Sequence, residues 1–351
     1  MTTIPLTPAA TPPSGSVVSA KNATVFLPTP FHPEAERQAE QTFHRVLRVG
    51  QDGLSREDCL RECDAICAFG SESEQVKAAD LESSVAPKLQ IIARNGTGVD
   101  SIDLEACKKR GVVVTNWPGG NAQAVAELTL TLMLSLLRRV PEMSRRITSG
   151  ELVPSIRALA PGLFNKTVGF VGMGDIAYEV AKLLSVFQCR LLVYSPTSPA
   201  SRWSGGGADP RYPLPIRHER VETLDEVLVE ADVLSLHCPL TPGTRNMIGE
   251  GELRRMKRSA VVINTSRGGM IDERALERAL KAGEIGGAGL DVFAQEPAYG
   301  ENLGELGTLD NVICLPHLGG STEAQTRDGC MTAVSIVADY LDGKGAINRV
   351  V

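Results

Sequence analysis

The feature that most constrains the fold is a strand-like run that ends in closely spaced glycines. Residues 167–171 are largely apolar, and Gly-Met-Gly-Asp-Ile-Ala follows at 172–177. A strand, this G-x-G-x-x-A pattern and then a helix are typical of dinucleotide binding. Gly172 permits the tight turn, and Gly174 lets the backbone approach a pyrophosphate that the helix N-terminus attracts. The pattern alone is weak, because glycine turns follow many strands, but it predicts a parallel α/β unit.

The composition is that of a globular protein with two domains. At roughly 150 residues per domain, a length of 351 residues predicts two. Acids and bases are interspersed and the net charge is −6, which does not indicate nucleic-acid binding. The eight cysteines contain no C-x-x-C pair. We therefore expect reduced thiols in a cytoplasmic protein, and no metal site.

The first 23 residues are rich in Thr, Pro, Ser and Ala, which predicts a disordered tail. The tail has neither the apolar centre of a secretory signal nor the arginines of a transit peptide. The longest strongly apolar run, residues 128–137, is about half the length of a membrane span. We therefore expect no membrane association.

Strands and helices alternate in two passes, which predicts an α/β fold with two doubly wound parallel sheets. The predicted strands of the first pass are 24–27, 46–49, 65–68, 89–93 and 112–114. A helix begins at Ser55, and another covers 103–110 and ends at Gly111. One long helix then runs from 121 to 146, with a kink at Pro141.

The second pass continues the same alternation. Its predicted strands begin near 167 and then cover 190–194, 233–236, 261–264, 289–292 and 312–315, with helices such as 272–282 between them. The last helix, about 322–341, has no following strand, so we expect it to return to the first domain. The segment 195–219, rich in glycine and proline, predicts a long mobile loop beside the cofactor site.

These patterns predict a domain of residues 24–118 and 320–351 and a second domain of residues 119–319. Three motifs in the second domain combine an ionisable side chain with residues that bend or free the backbone. They are Asn-Thr-Ser-Arg-Gly-Gly (264–269), Asp-Val-Phe-Ala-Gln-Glu-Pro (291–297) and Pro-His-Leu-Gly-Gly (316–320). An arginine can bind an anion, a histidine can transfer a proton, and a carboxylate can adjust the protonation of the histidine.

With these motifs in order, the chain resembles the D-isomer-specific 2-hydroxyacid dehydrogenases over about residues 60–341. Within that family it is most similar to the phosphoglycerate dehydrogenases, through segments 95–100, 120–128 and 316–325, without their regulatory C-terminal extension. The resemblance implies a discontinuous, flavodoxin-like substrate domain and an NAD(P)-binding Rossmann domain. It also implies hydride transfer between a nicotinamide cofactor and C2 of a 2-oxo or D-2-hydroxy acid.

The resemblance also implies a role for each site residue. His317 exchanges a proton with the substrate oxygen, Glu296 orients the imidazole, and Arg267 binds the substrate carboxylate. Main-chain N–H groups at Asn95, Gly96, Thr97 and Gly98 complete the anion site. The implied cofactor-binding residues are Gly172, Gly174, Asp175, Ile176, Ser195, Thr197, Ser198, Cys238, Pro239, Thr244, Thr265, Ser266, Asp291 and His317. Of these, Asp291 orients the nicotinamide carboxamide.

One departure from the family pattern concerns the cofactor. NAD-selective members carry an acid at the end of the second nucleotide-binding strand, where this chain has Ser195, and no acid occurs from 180 to 208. Ser195, Thr197, Ser198 and Arg202 offer donors for a 2′-phosphate, so we favour NADP(H) over NAD(H). Asp175 stands where many relatives have arginine, which weakens pyrophosphate binding.

A second departure concerns the substrate. Phosphoglycerate enzymes carry an arginine just after the third strand, where this chain has Phe69 or Gly70, with Glu72 nearby. Together with the bulk of Trp117, this predicts a less anionic and bulkier 2-oxo acid.

The alternative functions are a 3-phosphoglycerate dehydrogenase and a corepressor-like scaffold that senses the dinucleotide. The apolar helix 126–137 is either core or the interface of an expected homodimer.

Overall fold

The computed structural model describes residues 18–68, 75–205 and 209–351. The chain forms two compact units. The first unit contains the described residues up to Asn121 together with Gly320–Val351, and the second unit contains Ala122–Gly319. Within the described residues, no helix combines the length and the apolar character that a membrane span requires.

The first unit is built on a sheet of five parallel strands. They are β1 (Thr24–Phe26), β2 (Arg45–Leu47), β3 (Ala65–Ala68), β4 (Ile91–Arg94) and β5 (Val113–Thr115). Their order β2-β1-β3-β4-β5 is the flavodoxin-like order. The helices of this unit are α1 (Pro33–Thr42), α2 (Arg56–Glu62), α3 (Leu104–Arg110) and α10 (Glu323–Leu341).

Local signals set the helix ends in the first unit. Ser55 and Asp58 form a reciprocal capping box at the start of α2, with bonds of 3.1 and 3.0 Å. Gly111 ends α3 in the left-handed conformation, with φ 69°. The last helix, α10, packs on α1, β3 and β4, which confirms the discontinuous α/β arrangement.

The prediction of a disordered tail up to residue 23 is wrong for its last residues. Residues Ala20–Asn22 form a short 3₁₀ turn, and Ala20 and Ala23 are buried in the core of the first unit. The N–H of Ala20 donates to Asp342 Oδ1 at 3.0 Å. Residues 1–17 lie outside the described residues.

The second unit is built on a sheet of seven parallel strands. They are β6 (Thr167–Val171), β7 (Arg190–Tyr194), β8 (Glu219–Val221), β9 (Val233–Leu236), β10 (Val261–Asn264), β11 (Gly287–Leu290) and β12 (Val312–Cys314). Their order is β12-β11-β10-β9-β6-β7-β8, a Rossmann order that reverses between β6 and β9. The helices are α4 (Ala122–Leu137), α5 (Val140–Thr148), α6 (Asp175–Leu184), α7 (Leu224–Glu230), α8 (Glu250–Arg255) and α9 (Glu273–Lys281).

The predicted long helix 121–146 is two helices, so that prediction is wrong. The chain breaks at Arg139, which has a left-handed φ of 53° and binds Glu142 through two nitrogens at 2.7 and 2.6 Å. Pro141 lies in the first turn of α5, where a missing N–H costs nothing, instead of kinking a continuous helix. Helix α4 packs on α6 and β10 and belongs to the core.

The described residues of the segment 195–219 differ from the predicted mobile loop. Its last residue begins β8, and the described part of the segment packs on the second unit. Trp203 is 1% exposed, and its ring contacts Phe170 and Tyr178 at centroid distances of 6.2 and 6.0 Å. The hydroxyl of Tyr178 also donates to the carbonyl of Leu214 at 2.9 Å. Buried aromatic rings therefore anchor a segment whose glycines and prolines indicated mobility.

We expect Trp203→Ala to destabilise the second unit strongly. Removing a fully buried indole leaves a cavity and costs about 3–5 kcal/mol of unfolding free energy. Urea unfolding followed by far-UV circular dichroism measures this loss. Tyr299→Ala is the control, because Tyr299 is 64% exposed, and similar midpoints for both variants would contradict the anchoring role.

Candidate active site

The fingerprint turn lies where the strand order of the second unit reverses. Gly172 has φ 106°, and a Cβ at this position would stand 2.5 Å from the carbonyl oxygen of His237, which follows β9. Gly174 caps α6, and a Cβ there would meet open space. A close turn, open space and a helix N-terminus suit the pyrophosphate of a dinucleotide. Ile176 lies half-buried against the core.

His237 is a structural histidine. Its Nε2 lies 2.9 Å from Ser235 Oγ, and its ring packs edge-on to Phe170. Burial lowers the pKa of His237 to about 3, so the imidazole is neutral at neutral pH. Its backbone, which meets Gly172, shapes the fingerprint turn.

The loop after β10 is organised by Asn264, whose role the sequence analysis missed. Asn264 Nδ2 donates to the carbonyl of Arg267 at 2.8 Å, and its Oδ1 accepts from the hydroxyl of Ser266 at 2.8 Å. The hydroxyl of Thr265 contacts Thr129 Oγ1 at 2.9 Å in the core. The hydroxyls of Thr265 and Ser266, predicted to bind cofactor, therefore hold the backbone that carries Arg267.

Close backbone packing joins the first two motifs. A Cβ on Gly268 would stand 1.8 Å from the backbone carbon of Phe293, so only glycine fits there. The Arg267 loop thereby lies directly against the turn 293–296. The positive charge of Arg267 acts on Glu296 and contributes to lowering its pKa.

The central interaction of the site joins Glu296 and His317. Glu296 Oε2 lies 2.7 Å from His317 Nδ1, and Glu296 Oε1 accepts the N–H of Phe293 at 3.0 Å. Burial raises the pKa of Glu296, but the hydrogen bond and charge of His317 outweigh it, so the net shift is downward. The His317 side chain is 50% exposed against 17% for Glu296. Because Nδ1 is engaged, Nε2 is the nitrogen that can meet a substrate.

Asp291 holds the backbone around His317. His317 has a left-handed φ of 58°, and its N–H donates to the Asp291 carbonyl at 2.9 Å. The Asp291 carboxylate accepts the N–H groups of Leu318 and Gly319, both at 2.7 Å. Burial raises the pKa of Asp291, which is 1% exposed. Both carboxylate oxygens thus bind backbone N–H groups, and the contact of Asp291 with the nicotinamide carboxamide stays a prediction.

Glu273 is a second residue that the sequence analysis missed. It lies in the first turn of α9, and its Oε1 accepts the N–H of Ala294 at 2.6 Å. Burial raises the pKa of Glu273, and the negative charges of Asp272 and neighbouring Glu296 raise it further. The turn 293–296 is therefore fixed by two carboxylates. A first-turn acid is common in helices, so the sequence offers no signal for this role.

The candidate anion-binding segment lies in the first unit. The N–H of Asn95 donates to the Ala68 carbonyl at 3.0 Å, so it is not available to an anion as predicted. The N–H groups of Gly96, Thr97 and Gly98 donate to no residue that the structure describes. Trp117 fixes this loop, because its N–H donates to the Gly96 carbonyl at 3.0 Å.

Of the residues predicted to bind a 2′-phosphate, the structure joins two serines directly. Ser195 Oγ and Ser198 Oγ contact each other at 2.8 Å, and Thr197 is exposed. The guanidinium beside these serines belongs to Arg220, which donates to their carbonyls at 2.7 and 3.0 Å. Arg202, predicted to join them, instead donates to the Met173 carbonyl at the fingerprint. Arg220 lies on β8, a strand that the sequence analysis missed.

The loop after β9 is closed by its own hydrogen bonds. Thr244 Oγ1 accepts the N–H of Thr241 and donates to the carbonyl of Pro239, both at 2.7 Å. Burial raises the pKa of Cys238 to about 11, so its thiol stays protonated. Phe69, Gly70 and Glu72 lie outside the described residues. Among the residues that are described, no cluster of His, Cys, Asp or Glu suits a metal ion.

Residues 130–319 match the model of the D-isomer specific 2-hydroxyacid dehydrogenase NAD binding domain. A D-3-phosphoglycerate dehydrogenase from Methanocaldococcus jannaschii is 36% identical over 89% of the chain and 56% of that relative. A glyoxylate reductase from Thermococcus litoralis is 41% identical over 79% of the chain and 80% of that relative. The solved TT0316 protein from Thermus thermophilus has a TM-score of 0.79 at 31% identity, covering 93% of the chain and 100% of that structure.

The second unit is a dinucleotide-binding Rossmann domain with an arginine, a glutamate and a histidine at one edge of its sheet. The chain belongs to the D-isomer-specific 2-hydroxyacid dehydrogenase family. It spans about half the length of the D-3-phosphoglycerate dehydrogenases that it matches. The relatives named above are a D-3-phosphoglycerate dehydrogenase and a glyoxylate reductase.

We expect Glu296→Gln to slow carbonyl reduction. Glutamine keeps the size of the side chain but removes the carboxylate that holds His317 Nδ1, so kcat should fall by about 10–100-fold, as for loss of a charge-assisted hydrogen bond. Steady-state kinetics measure the loss. Glu305→Gln is the control, because Glu305 pairs with exposed Lys281. An unchanged kcat for Glu296→Gln would contradict the pairing role.

Proposed function

We propose that the chain is an NAD(P)-dependent D-2-hydroxyacid dehydrogenase or 2-oxo acid reductase. The observation that carries this proposal is the 2.7 Å contact between Glu296 and His317, with Arg267 on the adjoining loop. The nicotinamide cofactor, when bound, supplies or accepts the hydride. The glycine turn, the open space at Gly174 and the N-terminus of α6 suit such a cofactor.

Each side chain has one task in this proposal. Arg267 binds the substrate carboxylate through its planar guanidinium. His317 Nε2 donates a proton to the carbonyl oxygen during reduction and accepts it during oxidation. Glu296 stabilises the imidazolium and fixes the ring by holding Nδ1. In the first unit, the N–H groups of Gly96, Thr97 and Gly98 remain candidate anion donors.

We propose a substrate without a phosphate group. The indole of Trp117 lies over Gly120, where an added Cβ would stand 2.1 Å from the ring, so an apolar surface adjoins the loop 95–98. The glyoxylate reductase from T. litoralis matches over most of its own length, whereas the phosphoglycerate dehydrogenases match over about half. A bulkier unphosphorylated 2-oxo acid also suits the lack of an arginine at residues 69–70.

We propose NADP(H) as the preferred cofactor. An acid after β7 would bind the ribose 2′-hydroxyl and repel a 2′-phosphate, and this chain has Ser195 there. Arg220 donates hydrogen bonds to the carbonyls of Ser195 and Ser198, so its positive charge lies beside these two residues. A serine pair next to a guanidinium accommodates a 2′-phosphate better than a 2′-hydroxyl alone.

A panel of 2-oxo acids, assayed with NADPH and NADH, tests these proposals. We expect higher kcat/KM for an unphosphorylated acid, such as glyoxylate, hydroxypyruvate or a larger homologue, than for 3-phosphohydroxypyruvate, and higher kcat/KM with NADPH. His317→Ala should lower kcat by about 10²–10⁴-fold and leave NADPH affinity intact.

A different result would contradict each part of the proposal. A micromolar KM for 3-phosphoglycerate would contradict the substrate class. Efficiency about tenfold higher with NADH, equivalent to about 1.4 kcal/mol, would contradict the cofactor preference. Full turnover by His317→Ala would remove the assigned proton donor.

We also propose a homodimer in the cytoplasm. The apolar residues of α4 are core, and the exposed apolar surface instead follows in the next segment. Its members, between 62% and 91% exposed, are Ile147, Leu152, Ile156, Leu159 and Phe164. Several exposed apolar side chains at close spacing along one segment are typical of an interface, and a second copy is the commonest partner. Eight free thiols agree with a reducing compartment.

We expect Leu152→Asp combined with Ile156→Asp to convert the dimer to a monomer. Two buried charges without partners disfavour an interface strongly. Light scattering after size exclusion measures the mass. Val229→Asp is the control, because Val229 is exposed on α7 away from this segment. A wild-type protein that is already monomeric at micromolar concentration would contradict the proposal.

A further inference from the structure

We propose that Arg202 supplies the positive charge for the cofactor pyrophosphate that the fingerprint of this chain lacks. The residue comes from the β7–β8 segment, defined as residues 195–218. This inference rests on the proposed function, because it requires a dinucleotide at the turn 172–174. It adds a binding residue from a part of the chain that lies more than 20 residues beyond that turn.

The need for a cation arises from Asp175. This residue is the first of α6, where its negative charge favours the helix but opposes a pyrophosphate. The β7–β8 segment contacts this carboxylate, because Tyr212 Oη donates to Asp175 Oδ1 at 2.8 Å. Arg211 Nη1 lies 3.9 Å from the same oxygen. Burial, followed by the charge of Asp175, raises the pKa of Tyr212, so the hydroxyl remains a donor.

Arg202 is held beside the same turn. Its Nη1 donates to the carbonyl of Met173, between the two fingerprint glycines, at 3.3 Å. Its guanidinium lies 5.6 Å from the centroid of the Tyr212 ring, and the adjoining Trp203 anchors the backbone in the core. Arg202 Nε is buried and has no hydrogen-bond partner in the part of the chain that the structure describes.

Two arginines contact this part of the second unit. Arg220 donates to the carbonyls of Ser195 and Ser198, and its Nη1 also lies 3.7 Å from Met173 Sδ. Arg202 donates to the Met173 carbonyl, between the two glycines that we propose to receive the pyrophosphate. The pyrophosphate is common to NADH and NADPH, whereas the 2′-phosphate belongs to NADPH alone. Loss of the Arg202 charge should therefore weaken both cofactors by the same factor.

Calorimetric titration of the full chain with NADH, NADPH and ADP-ribose tests the proposal. We expect Arg202→Gln to raise all three dissociation constants by about tenfold, as for loss of a charge-assisted hydrogen bond. Arg202→Lys should retain most of the affinity, because it keeps the charge. Introducing Asp175→Arg into Arg202→Gln should restore affinity by returning a cation to the first turn of α6.

The controls separate this proposal from the proposed function. Arg254→Gln removes an exposed arginine that pairs with Glu250 on α8, and it should change no affinity. A wild-type protein that binds none of the three probes would overturn both proposals. A wild-type protein that binds them, with Arg202→Gln unchanged, would overturn only the Arg202 assignment. Selective weakening of NADPH would also overturn it, because Arg202 would then contact the 2′-phosphate.

Discussion

The contact between Glu296 and His317 is the interaction on which the proposed chemistry of this protein depends. It requires two turns from different strand ends to place Oε2 and Nδ1 2.7 Å apart. The His317 side chain is half exposed, so packing alone does not fix its position. Its backbone has a left-handed conformation, which a histidine seldom adopts without support from neighbouring groups. The surrounding hydrogen bonds therefore overcome a local backbone preference in order to position the imidazole.

Carboxylates supply most of that positioning. Asp291 binds the backbone after His317, and Glu273 binds the backbone before Glu296. Burial raises the pKa of both residues, whereas the cationic neighbours lower the pKa of Glu296. Three acids close in space thus have different environments, and only the one that meets the histidine is stabilised as the anion. Their division of tasks follows from burial and partners, not from residue type.

The sequence predicted the two α/β sheets and the motifs that carry the three ionisable side chains of the candidate site because these depend on short-range patterns. Strand periodicity, the glycine turn and the capping residue Ser55 are all readable within a few positions. Asn264, Glu273 and Arg220 were missed because their partners are backbone groups on other loops or strands, and composition does not reveal them. The break at Arg139 was missed for a related reason: proline is visible in a sequence, whereas a left-handed arginine stabilised by Glu142 is not.

The β7–β8 segment shows how composition misled the prediction. Its glycines and prolines indicated mobility, yet Trp203 and Tyr212 are buried against α6 and β6. Burying two large aromatic side chains supplies apolar area that offsets the entropy of ordering the described residues of the segment. Once anchored, the segment brings arginines to the fingerprint turn at fixed positions. The proposed contact of Arg202 with the cofactor therefore depends on the hydrophobic core through Trp203, which neighbours Arg202 in the chain, so packing and electrostatics are coupled at this candidate site.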